Sequence, residues 1–128
     1  MTTDSKCHQT DIIVLSIATE LQLTDFNADR QLLDLFGTSL LIFTSIGCAS
    51  CRWARREIPN FALPVARLCW IDAADNGGLV QRYEVRQLPA LFVVADSQYF
   101  GRIAPILSGP ELLNALQQAL TRIPEELP

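Results

Sequence analysis

Histidine occurs once in these 128 residues, at His8. Nucleophilic hydrolysis by a cysteine needs a base within reach of the thiol, so a single histidine argues against a cysteine protease. Cationic side chains are sparse too: ten Lys and Arg stand against fourteen Asp and Glu, for a formal charge of -4 and a pI near 4.8. A phosphate backbone is bound mainly by clustered Lys and Arg, so no nucleic-acid partner is expected. Long apolar runs are missing as well. The stretch Ile12 to Ala18 is apolar but far too short to span a bilayer. Asp4 and Asp11 precede it, and no small-x-small cleavage site follows before Glu20. The expectation is therefore no membrane partner, no export signal and a cytoplasmic location. Repeats and low-complexity segments are also lacking.

What is present is a core and four cysteines. With 49% hydrophobic residues, the chain fits one compact domain that needs no disulfide framework or structural metal to fold. Cys7, Cys48, Cys51 and Cys69 are then available for chemistry. In a reducing compartment a Cys-x-x-Cys pair points to catalysis or metal binding before structure.

The order of elements alternates. Residues through Thr10 read as a polar segment, and Ile12 to Ala18 as an edge strand or an extra helical turn, so 1–18 is expected to be an N-terminal extension to a domain spanning 19–128. Thr19 to Leu23 reads as a strand. A helix capped by Thr24 or Asp25 is expected to run to about Phe36, with Leu32, Leu33, Leu35 and Phe36 apolar, and to end at Gly37. Leu40 to Thr44 is a continuous apolar run suited to a central strand buried on both faces. A helix follows from near Cys48, with an apolar stripe at Cys51, Ala54, Ile58 and Phe61 or Ala62 and an expected kink at Pro59. Val65 to Ile71 reads as a strand, Leu79 to Tyr83 as a short helix and Ala90 to Ala95 as a strand. Asp96-Ser97-Gln98 turns the chain into a strand from Tyr99 to Ile106. A last helix then runs from Leu107-Ser108-Gly109-Pro110 to about Arg122. The fold class is α/β: a mixed sheet with helices on both faces.

Cys48 falls just beyond a buried strand and in the first turn of a helix. There the unpaired backbone N–H groups and the positive end of the helix dipole favour thiolate over thiol. Cys51 sits one turn further on and can hydrogen-bond to that thiolate or attack a mixed disulfide formed on it. The spacing assigns Cys48 as nucleophile and Cys51 as the resolving thiol. Against this stands a zinc-like set of Cys7, His8, Cys48 and Cys51. It is disfavoured because Cys7 and His8 are adjacent in sequence and do not form a second tight pair. Cys69, in "RLCWID", reads as a small apolar core group, and Cys7 as an exposed thiol. Trp53 reads as a packing or rim residue. Arg52, Arg55 and Arg56 form a solvated face or lend positive potential toward an acidic partner.

A strand running into "GCASC", a long helix with an internal proline and then "VRQLPALFVV" together resemble the thioredoxin family, over roughly Thr19 to Arg122. The resemblance implies the thioredoxin-like fold, with Cys48 and Cys51 as the redox pair. It further implies that Leu88-Pro89 is a cis-proline step whose backbone, beside Gly47, receives a substrate peptide as an added strand. The implied activity is thiol-disulfide exchange with a protein disulfide substrate, served by a thioredoxin-reductase-type electron donor, with no cofactor or metal beyond the cysteine pair and a monomeric state. The departures are specific. Gly47 stands where thioredoxins commonly carry tryptophan, Ala49-Ser50 replaces Gly-Pro, Ile42 replaces a buried aspartate, Pro105 replaces a loop glycine, and Pro59 falls about one helical turn late. They favour a divergent oxidoreductase with its own partner; a non-catalytic binding or assembly module of the same fold is the alternative.

Overall fold

The computed structural model describes residues 18–105 and 108–128. The expected extension, apart from Ala18, lies outside the described residues, and so do Cys7 and His8. The elements in order are β1 (Thr19–Leu23), α1 (Ala28–Asp34), β2 (Thr38–Thr44), α2 (Ala49–Glu57), a 3-10 turn (Ile58–Asn60), β3 (Arg67–Asp72), α3 (Gly77–Arg82), β4 (Ala90–Ala95), β5 (Gln98–Ile103) and α4 (Gly109–Ala119). The five strands form one sheet in the order β1-β3-β2-β4-β5. β3 pairs in parallel with β1 and β2, while β4 runs antiparallel to both β2 and β5.

β2 is central because it has no polar face to present. Leu40 and Ile42 point to one side, where they pack with Ala54 and Ile58 of the α2 segment and Leu112 and Leu116 of α4. Leu41 and Phe43 point to the other, against Leu32 of α1 and Leu79 and Tyr83 around α3. A continuous apolar run therefore becomes two alternating stripes, each covered by helices. The β4–β5 hairpin closes through Asp96 and Ser97, with φ of 50 and 70. Two left-handed residues in a two-residue turn match the right-handed twist of the strands they join.

Three sequence expectations need correcting. The first helix does not start at Thr24 or Asp25. The Thr24 side chain instead accepts from Phe26 N, Asn27 Oδ1 accepts from Thr24 N, and the helix starts at Ala28. It also stops at Asp34, since Leu35 is already extended, and of the expected apolar residues Leu32, Leu33, Leu35 and Phe36 only Leu32 is fully buried. At Pro59 the chain does not kink within one helix. α2 ends at Glu57 and a 3-10 turn carries Pro59, which has no N–H to continue the α pattern; Asn60 Nδ2 donates to the Arg56 carbonyl at 3.2 Å. The last strand ends at Ile103, short of Ile106, and the last helix spans Gly109 to Ala119, capped by Ser108, whose Oγ accepts from Glu111 N at 3.3 Å.

Candidate active site

Ser45 to Gly47 carry the chain from the end of β2 to the start of α2. The turn is tight, with Cys48 N donating to Ser45 O at 3.4 Å. Cys48 is the residue that caps α2, in an extended conformation, and its sulfur accepts from Cys51 N at 3.2 Å. A sulfur in this place satisfies one of the free N–H groups that open every helix, which an alanine could not do. Ser50 Oγ lies 3.5 Å from the same sulfur, and Cys48 Sγ donates to the Leu88 carbonyl at 3.6 Å. Leu88 reaches this point from the opposite side of the site, immediately before β4, through a cis bond to Pro89.

The two thiols are thus pushed apart in acidity. Hydrogen bonds from the Cys51 and Ser50 side chains, opposed by slight desolvation and aided by their backbone N–H groups, hold the Cys48 thiol below its ordinary value. Burial, reinforced by the bond given to Cys48, pushes the Cys51 thiol up to about 11. Exposure follows the same order, since Cys48 is half-buried and Cys51 fully buried. One thiol of the pair is thus the more exposed and the more acidic, and the other is covered and holds its proton.

The remaining predicted residues fall around this pair. Gly47 opens onto solvent: a side chain there would meet nothing within 4 Å. Ile42 is buried with Ala54 and Ile58 on the α2 side of the sheet, so its position supplies no acid or base. Pro105 is exposed, two residues past β5. Trp53 is partly buried against Phe61, with ring centroids 6.2 Å apart. Cys69 lies in the other apolar layer with Leu41 and Phe43, and burial raises its thiol to about 11. Among the described residues no three His, Cys, Asp or Glu side chains converge as metal ligands, and no helix is long and apolar enough to cross a membrane.

Sequence reasoning did not find two features of the site. Arg52 Nη1 donates to the Ile46 carbonyl at 3.0 Å and so braces the turn that presents Cys48. A hollow of about 410 Å3 beside that turn collects Gln22, Thr44 and Asp72 from the ends of three strands, together with Arg52 and Arg55. The clues in sequence were only that Thr44 and Asp72 close β-type runs and that Arg52 and Arg55 read as a face able to lend positive potential.

A parallel β-α-β unit, an antiparallel hairpin, a closing helix and a cysteine pair opposite a cis-proline define the thioredoxin fold, and the chain has it. Solved structures agree. Thioredoxin from Halobacterium salinarum, solved as a point mutant, matches at 20% identity and TM-score 0.68, over 85% of this chain and 97% of its own. Thioredoxin from Trypanosoma brucei brucei matches at 16% identity and TM-score 0.65, over 83% and 95%. Thioredoxin F from spinach chloroplast matches at 14% identity and TM-score 0.69, over 82% and 96%. No family model matches the sequence, and no curated protein does either.

Proposed function

We propose that the protein is a thiol-disulfide oxidoreductase acting on a protein disulfide, with Cys48 as nucleophile and Cys51 as resolving thiol. The observation that carries this reading is the asymmetry of the pair: an accessible sulfur receiving N–H and hydroxyl hydrogen bonds at a helix start, beside a buried thiol. The Cys48 thiolate attacks one sulfur of the substrate disulfide. A Cys48–substrate bond forms, the substrate S–S bond breaks, and the departing thiolate takes up a proton. Cys51 then loses its proton and attacks Cys48 Sγ, which forms the Cys48–Cys51 disulfide and releases the second substrate thiol. Two electrons pass from the dithiol to the substrate, and a thioredoxin-reductase-type donor would return them.

The Leu88 backbone and the open side of Gly47 support substrate placement. Leu88 O already faces the Cys48 sulfur, and a peptide laid beside it as a short strand would put its own cysteine there. We place the reaction in the cytoplasm, where reduced thiols prevail, with the protein acting as a monomer and with no cofactor beyond the cysteines.

The test is turnover of a disulfide peptide by catalytic protein with a dithiol as electron source. Multiple turnovers lost in Cys48→Ser, and a trapped mixed disulfide in Cys51→Ser, are the expected results. Binding of the peptide without turnover would make the chain a binding module of this fold instead.

A further inference from the structure

Resting on the thiol-disulfide reading above, we infer that the hollow beside Cys48 selects substrates carrying a carboxylate and an apolar side chain next to their reactive cysteine. The hollow of about 410 Å3 begins at Ile46, two residues before Cys48, and is walled by Arg52 and Arg55 of α2. Both guanidinium groups are held in place with donors to spare. Arg52 uses Nη1 on the Ile46 carbonyl, and Arg55 lies over the Trp70 ring, 4.7 Å from its centroid. Stacking and a single carbonyl contact leave the rest of each five-donor fork open to a carboxylate.

Charge accounting points the same way. Among the described residues the ion pairs are Arg56–Glu57, Arg82–Asp29 and Arg86–Glu84, so Arg52 and Arg55 are not in one. The opposing charge in the hollow is Asp72, whose Oδ1 accepts from Ala74 N at 3.0 Å. Two cations face one anion in the lining, while Glu20, on the same face of β1 as Gln22, has its Oε1 engaged by Trp70 Nε1 at 2.8 Å outside it. The lining therefore carries a net positive charge on a chain whose formal charge is -4, which favours an acidic segment on this face over the rest of the surface. Ile46 adds the apolar part of the recognition: it is 85% exposed at the rim between the hollow and the nucleophile. An apolar side chain of the incoming segment would cover it.

The discriminating experiment compares two disulfide peptides that differ only by Glu or Gln beside the reactive cysteine. At low salt the Glu peptide should be reduced with a kcat/KM about three- to fivefold higher, the scale of one or two exposed ion pairs. In Arg55→Gln the ratio between the peptides should fall toward one. The same collapse should follow in the unmodified protein when salt is raised, since a Debye length near 3 Å at about 1 M screens exposed charges. Titration of tryptophan fluorescence with the reduced forms of both peptides reads preference without catalysis. A Glu preference in binding with no turnover of either peptide would uphold the acidic groove and overturn the oxidoreductase reading. Equal kcat/KM and equal binding for the two peptides at low salt would overturn the groove while leaving the chemistry intact.

Discussion

Ser50 places its hydroxyl oxygen 3.5 Å from the sulfur of Cys48, in the gap between the two cysteines of the motif. A hydroxyl can rotate its hydrogen toward a thiolate, and a net hydrogen bond is worth about 0.5–1.5 kcal/mol. Ser50→Ala should therefore slow alkylation of Cys48 by iodoacetamide about two- to tenfold at pH 7. The pH midpoint should move upward, and Ser50→Thr, which keeps the hydroxyl, should restore it. An unchanged pH profile in Ser50→Ala would assign the residue to the turn alone.

The same reagent should separate the two cysteines of the motif. Cys48 should react first, with a midpoint below that of a free thiol, about 8.5, because hydrogen bonds from Cys51 and Ser50 favour its thiolate. Cys51 should stay protected until the pH nears its own value of about 11. Peptide mapping after brief alkylation checks this, and faster labelling of Cys51 in the folded, reduced protein would reverse the assigned roles.

How much of this was visible in the sequence depends on whether a feature is local. Leu40 to Thr44 had to be a two-sided strand because it offers no polar face, and Cys48 had to meet the helix start because it lies four residues past that strand. The extent of α1 was misread for the opposite reason. Leu33 and Phe36 look like core residues, yet they are 57% and 81% exposed, since nothing in the local pattern says which apolar residue finds a partner. The hollow at Arg52 was hidden by topology. Gln22, Thr44 and Asp72 meet only because β3 inserts between β1 and β2, an order the sequence does not spell out.

Ile42 offers a test of what the missing acid does. Ile42→Asp would bury a carboxyl among Leu40, Ala54 and Ile58, at a cost of a few kcal/mol (~2–4) in unfolding free energy. General base assistance is typically worth about a hundredfold or more. Resolution of a mixed disulfide by Cys51 should therefore be slow near neutrality in the unmodified protein, climb with pH, and accelerate in Ile42→Asp. Rapid-mixing kinetics with a disulfide peptide decides it. Fast, pH-independent resolution that a folded Ile42→Asp variant leaves unchanged would remove any role for an acid here.

Cys69 should leave a mark on stability at alkaline pH. Its thiol is raised to about 11 by burial in the folded state, against about 8.5 for a free cysteine. Between those values the unfolded chain has lost a proton that the folded chain keeps, so stability must fall as pH rises across that window. The loss can reach about 3 kcal/mol. Below the window the group contributes no slope. Urea unfolding at several pH values should show a shallower alkaline decline in Cys69→Ala, offset by a loss of about 1 kcal/mol at neutral pH from the smaller side chain. Parallel declines in the two proteins would mean that Cys69 is not kept protonated.

Beyond α4 the chain turns back, and Tyr99 and Glu125 exchange two backbone hydrogen bonds, each of 2.8 Å. Leu127 then packs into the apolar layer of α1 and α3. This strap sits on the outer side of β5, where a strand would otherwise offer a row of unpaired amides and carbonyls to any extended chain that came by. Such an offer is dangerous in a protein whose proposed work is to hold an extended peptide beside Leu88. A second uncovered edge would compete for the same segments and could stack copies of the sheet against one another. With Glu125 in place the β5 edge is partly closed to such docking.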